Sequence, residues 1–175
     1  MVIQLDKRVR HKATRENGHF YVDVLLVCEG STDDSFVPFM YDTGAWLTVL
    51  SRKYYEANGL YSLSWEKFSM GGYGAGVDKN RKVPGVLYKI PALKIGKRVL
   101  TGVRAFTPAS YEIEENILGG NAFEYFNIYQ DNGNDYLYFF DNPNPTPYVH
   151  EKSGFSLACD GSFSFEEGDF HVFRP

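Results

Sequence analysis

The sequence predicts an all-β fold, a closed barrel or sandwich with one or two short helices. Three observations carry that prediction. Apolar residues recur with period two, whereas helical periodicity is scarce. Turn signals built from Gly, Asn and Pro divide the chain into short segments. Helix-compatible stretches with caps occur only twice. The chain has 175 residues, 43% hydrophobic and 17% aromatic, which is enough to bury one core. Charged residues make up 23%, too few for a globally disordered chain.

Taken in order, the elements are as follows. In "FYVDVLLVCE" the residues Phe20, Val22, Val24, Leu26 and Cys28 fall on one face, with Asp23 and Glu29 on the other. That is a half-buried strand. "FVPFMY" is an apolar run ending at Asp42, and Thr48-Val49-Leu50 begins the next strand. Ser51 caps a short helix over "RKYYEA", with Asn58-Gly59 as its left-handed stop. "GVLYKIPALKIGKRVLTGVRAF" reads as two strands turning at Gly96-Lys97, and Pro91 predicts an edge or a bend. A second short helix is expected through "NAFEYF" after Gly119-Gly120. "FNIYQDNGNDYLYFF" is a hairpin of aromatic-rich strands around Asn132-Gly133. Beyond Asp141, "DNPNPTP" reads as a linker, and "GFSLACDGSFSFEEGDFHVF" has the alternation of one more hairpin. The expected organisation is an arm over residues 1–17, a core domain over 18–141, and a Pro-rich linker with a β extension over 142–175.

Composition excludes several function classes. The net charge is −4, and the basic residues are dispersed. The exception is Lys7, Arg8, Arg10, Lys12 and Arg15 in the arm, read as a solvated terminus. Nucleic acid is therefore not an expected partner. No apolar run reaches the ~18 residues of a membrane span, so no membrane partner is expected either. Cys28 and Cys159 are the only cysteines. That fits a reducing compartment, and cytoplasmic localisation is the default. His11, His19, His150 and His171 show no ligand or triad spacing. "GGYGAGV" lacks the Gly-Lys-Ser/Thr ending of a phosphate loop. Asp33-Asp34 and Glu166-Glu167 read as solvated charge rather than a cation site.

The chemistry-bearing stretch is "YDTGA", residues 41–45. Gly44 lets the backbone turn sharply. Thr43 supplies a hydroxyl for hydrogen bonding across a close interface. Asp42 is held on a rigid loop, partly desolvated. Two such carboxylates facing one another cannot both ionise near ~3 Å, so one becomes an acid and the other a base. Such a pair can activate water and protonate a carbonyl oxygen without a covalent intermediate. The tripeptide is short enough to arise by chance, but two further features accompany it. "MGGYGAGV" is a glycine-rich stretch from Met70 to Val77, and "NILGGNAF" places Ile117, Leu118 and Gly119 before a short helix.

Together, D-T-G-A-x-x-T-V-L, a glycine-rich hairpin and I-L-G before a helix resemble the retropepsin-like, single-lobe aspartic peptidases. The resemblance covers about residues 20 to 140. It implies an acid-protease-type closed β-barrel with Asp42 as the catalytic carboxylate. Thr43 would lock two loops together, and Gly44 would permit their crossing. Ala45 and Trp46 would border the substrate. Met70, Gly71, Gly72, Tyr73 and Gly74 would form the flap. Ile117, Leu118 and Gly119 would pass under the catalytic loop. No cofactor or metal is implied. The chain has one Asp-Thr-Gly, so the resemblance implies a homodimer acting on a peptide or protein substrate. The chain departs from the viral members at Trp46, where they carry an acidic residue, and at Gly120, where they commonly carry Arg. The alternative is a non-catalytic peptide-binding or dimerisation module on the same fold.

Overall fold

The computed structural model describes residues 10–27, 35–63, 65–71, 82–142, 155–157 and 163–165. Thirteen strands and two short helices are present among them. Strands β1 (Arg10–Lys12), β2 (Thr14–Glu16) and β3 (His19–Val27) are followed by β4 (Val37–Tyr41) and β5 (Thr48–Val49). Helix α1 (Arg52–Ala57) and a 3₁₀ turn (Leu60–Ser62) lead to β6 (Trp65–Gly71), β7 (Lys82–Ile95) and β8 (Arg98–Pro108). Then come β9 (Ile117–Leu118), α2 (Gly120–Phe123), β10 (Phe126–Asp131) and β11 (Tyr136–Asp141). The last pair, β12 (Phe155–Leu157) and β13 (Phe163–Phe165), is the antiparallel hairpin expected in the tail.

The barrel closes as a ring. β3 pairs with β4, β4 with β9, β9 with β5, β5 with β8 and β8 with β7. β7 then returns to β3 through Val24↔Ile95 to Val27↔Ala92. Closure removes the exposed edges that an open sheet would leave. β7 serves two neighbours: Lys82–Tyr88 pairs with β6, and Ala92–Ile95 pairs with β3. The change of neighbour falls where the β7–β8 ladder skips the pairing between Ile90↔Val103 and Ala92↔Thr101. Pro91 sits there, and Gly102 opposite it has φ +67°. A proline without an N–H and a left-handed glycine thus face one another where β7 changes neighbour.

Alternation in β3 sorts as the sequence predicts. Phe20, Val22, Val24 and Leu26 are buried among the core residues of the barrel. Phe39, Ile90, Leu93, Ile95, Leu118, Leu137 and Phe139 fill the same interior. Each such side chain contributes about 1.5–3 kcal/mol on leaving water. A second, smaller cluster of Met40, Leu47, Val49, Met70, Leu87, Phe106 and Ile117 lies between the loop after β4 and the β6–β7 hairpin.

Two expectations differ from the structure in detail. Residues 10–16, read as part of a solvated arm, form β1 and β2. β1 pairs with β11 and β2 with β3. Arg10 and Lys12 lie over the Tyr136 ring, and Arg15 over Phe20. Apolar contact along their stems and cation–π attraction explain why basic residues pair here rather than stand free. Asn132-Gly133 does mark a hairpin, but its loop has four residues between the paired Asp131 and Tyr136. The Asp131 carboxylate accepts from the Gly133 and Asn134 N–H groups and from the Asn134 side chain, and Asp135 takes the left-handed conformation. The two-residue turn belongs instead to Asn17-Gly18, where both φ angles are positive between the paired Glu16 and His19.

Candidate functional site

The loop after β4 is anchored at both ends. β4 runs parallel to β9, with Met40↔Ile117 and Tyr41↔Leu118 in register. The Asp42 N–H continues that ladder by donating to the Leu118 carbonyl at 3.3 Å. The chain then turns. Gly44 N–H donates to Asp42 Oδ1 at 2.8 Å, and Ala45 N–H donates to the Asp42 carbonyl at 3.3 Å. This fixes the Asp42 side chain against its own loop and leaves Oδ2 without a hydrogen-bond partner among the described residues. Asp42 is half-buried, and Thr43 and Gly44 are exposed. A Cβ on Gly44 would stand 3.2 Å from Asp42 Oδ1, so glycine keeps the carboxylate and the turn compatible.

Beneath the loop, β9 threads between the two strands that the loop joins. It is parallel to β4 and antiparallel to β5. Gly119 then crosses against the backbone of Leu47 and Thr48, so closely that any Cβ there would overlap the Leu47 carbonyl. This close approach is the physical reason for a glycine after Ile117-Leu118. The start of α2 completes the clamp. Gly120 N–H donates to the Ala45 carbonyl at 2.6 Å, and Asn121 N–H to the Trp46 carbonyl at 3.1 Å.

Two buried asparagines, neither anticipated from sequence, hold this arrangement. Asn121 Oδ1 accepts from Thr48 N–H at 2.8 Å and from Thr48 Oγ1 at 2.9 Å, while its Nδ2 donates to the Arg104 carbonyl at 2.5 Å. It therefore ties β5, β8 and α2 together. Asn116 Oδ1 accepts from Ser51 N–H at 2.9 Å, and its carbonyl accepts from Met40 N–H at 2.8 Å. The signal that marks both is positional: each flanks the apolar-apolar-glycine run and is polar where its neighbours are buried.

The structure brings Asp42, Thr43, Gly44, Ala45, Trp46, Ile117, Leu118 and Gly119 into one assembly. Met70, at the end of β6, joins it through the second cluster, against which Ala45 and Trp46 pack. Trp46 meets Phe68 with ring centroids 6.2 Å apart, linking the loop to the β6–β7 hairpin. Gly71 ends β6. Gly72, Tyr73 and Gly74 lie outside the described residues. Nearby, Tyr21 packs on the same cluster and donates its hydroxyl to Glu115 at 3.1 Å. Burial, followed by the adjacent Glu115 charge, raises its phenol above the ordinary range, so the hydroxyl keeps its proton. Tyr41 is raised by burial as well. Among the described residues, no group of three or more His, Cys, Asp or Glu side chains is placed to hold a metal ion.

Comparison with known proteins agrees with this architecture. The chain is similar to the crystal structure of a retropepsin-like aspartic protease from Rickettsia conorii, with a TM-score of 0.53 and 19% identity. The match covers 75% of this chain and 88% of that one. At this identity the likeness is one of fold, and the chain has a retropepsin-like β-barrel. No protein-family model and no curated protein sequence matches the chain. Among the described residues, no helix is long and apolar enough to cross a membrane.

Proposed function

We propose that the chain is an aspartic endopeptidase that works as a homodimer, with one Asp42 carboxylate from each copy. One observation carries the reading. Asp42 sits on a loop clamped by β9 and α2, with Oδ1 held by Gly44 N–H and Oδ2 left open. A symmetry mate across the exposed Thr43-Gly44 edge would bring a second carboxylate within reach. The pair would share one proton. The ionised member takes a proton from water as it attacks the peptide carbonyl, and the protonated member donates to the carbonyl oxygen. The Thr43 hydroxyls would bond across the two-fold axis, and the tip of the β6–β7 hairpin would cover the substrate.

Trp46 favours a second reading, a non-catalytic peptide-binding or dimerisation module. Its ring packs toward Phe68, so a bulky apolar group borders Asp42 where the viral members place an acid.

Cleavage of a mixed peptide library between about pH 4 and pH 7 separates the two, with Asp42→Asn in parallel. The peptidase reading expects cleavage by the parent, a bell-shaped rate against pH and loss of at least ~10³-fold in the variant. Absence of cleavage by a protein shown to be dimeric would overturn it in favour of the binding module.

A further inference from the structure

A groove runs along the β6–β7 hairpin beside α1. It holds about 390 Å³, and its lining includes Trp65, Lys67 and Ser69 of β6, Pro84 and Val86 of β7, and Arg52 of α1. The register sets Trp65, Lys67 and Ser69 opposite Tyr88, Val86 and Pro84. These alternate side chains share one face of the hairpin, and Met70 is buried in the second cluster from the other. Charge in the groove is unbalanced. Arg52 is matched by Glu56 at 2.7 Å. Among the described residues, Lys67 has no carboxylate partner and no Asp or Glu lines the groove. Trp65 leaves 49% of its surface exposed beside the aliphatic wall. The groove therefore suits carboxylates carried next to aromatic groups.

We infer that its occupant is the acidic C-terminal segment of the same chain, Phe165-Glu166-Glu167-Gly168-Asp169-Phe170. Three carboxylates there lie between two phenylalanines, and no Lys or Arg occurs between Lys152 and Arg174. The tether is long enough. β12 and β13 bring Phe155 opposite Phe165, so the reach from Asn142 is set by residues 143–154, roughly 40 Å when extended. A domain of this size is about 35 Å across. Tethering supplies an effective concentration in the millimolar range, so a weak contact suffices. The segment braces the hairpin, and this contact is independent of whether Asp42 catalyses anything.

The test is backbone amide exchange on the full chain, read in residues 163–173 and in β6. Protection of both is expected in the parent. Lys67→Glu, and separately Glu166→Lys with Glu167→Lys, each speeds exchange about tenfold, and combining them restores protection. Lys67 is exposed, so its reversal leaves the fold intact, and the restoring combination excludes simple misfolding. Equal exchange in the parent and all variants overturns the proposal. So does protection of residues 163–173 that grows with protein concentration, which would assign the groove to the tail of a second copy.

Discussion

Asn121 is the residue on which the site depends most among those that do not touch the proposed cleft. It is buried, and its amide satisfies three backbone or side-chain groups at once. Truncation strands two donors on the fully buried Thr48 and removes the amide partner of the part-buried Arg104 carbonyl. Asn121→Ala is therefore expected to cost about 3 kcal/mol of stability, read as a lower urea midpoint at unchanged slope. A drop below about 0.5 kcal/mol would show that water or backbone relaxation replaces the amide. The sequence reveals Asp42, Thr43 and Gly44 because their local order states a turn. It hides the roles of Asn116 and Asn121 because their partners are 65 and 73 residues away, and their place beside the apolar-apolar-glycine run marks the residues without naming what they bind. Gly119 falls between these cases. Its glycine is visible, but the reason for it, the Leu47 backbone crossing above, is not.

At the level of elements, legibility follows how locally each is specified. Helix α1 is specified from within: Ser51 Oγ accepts from Tyr54 N–H at 3.2 Å, and Gly59 supplies the left-handed exit with φ +63°. β3 is readable because its period-two alternation survives burial on one face. β1 is not, because three residues, Arg10 to Lys12, carry no apolar pattern. Its pairing with β11 is stabilised by His11, whose ring meets Phe139 edge-on at 5.0 Å and fills the space above Gly96. Burial, followed by the nearby Arg98 charge, lowers the His11 imidazole from its ordinary value of 6.5. Arg98 is itself paired with Asp141 of β11, and among the described residues no carboxylate forms an ion pair with His11. The folded state thus favours neutral His11. Its contribution is fully present above pH 6.5 and is lost as pH falls through the lowered folded value. Urea midpoints at about pH 7.5 and 5.5 should show a decline in the parent that shrinks in His11→Leu. An identical decline in both proteins would assign it to other groups.

For the whole molecule, closure of the ring through β3 and β7 leaves the Asp42 loop at an exposed place. Thr43 and Gly44 face solvent in one copy, although the polypeptide behind them is tightly braced. Rigid, exposed and self-complementary is what a two-fold contact needs. Under the proposed dimer, each Thr43 hydroxyl bonds to the opposite copy, so Thr43→Ala removes two equivalent hydrogen bonds. The dimer dissociation constant should rise about tenfold or more, measured by sedimentation equilibrium, with the monomer's thermal stability unchanged. A dimer of undiminished affinity would place the contact elsewhere on the barrel.

The threading of β9 between β4 and β5 also sets a timetable. During synthesis the Asp-Thr-Gly loop leaves the ribosome some 75 residues before the strand that must slide beneath it. Until Asn121 has emerged, Thr48 has no amide to bind and Asp42 no carbonyl from Leu118 to fix its backbone. Pairings of such long sequence separation form late. A nascent or truncated chain ending before α2 carries the carboxylate without the geometry that would make it useful. The proposed hydrolytic centre therefore switches on only when the barrel has been made whole.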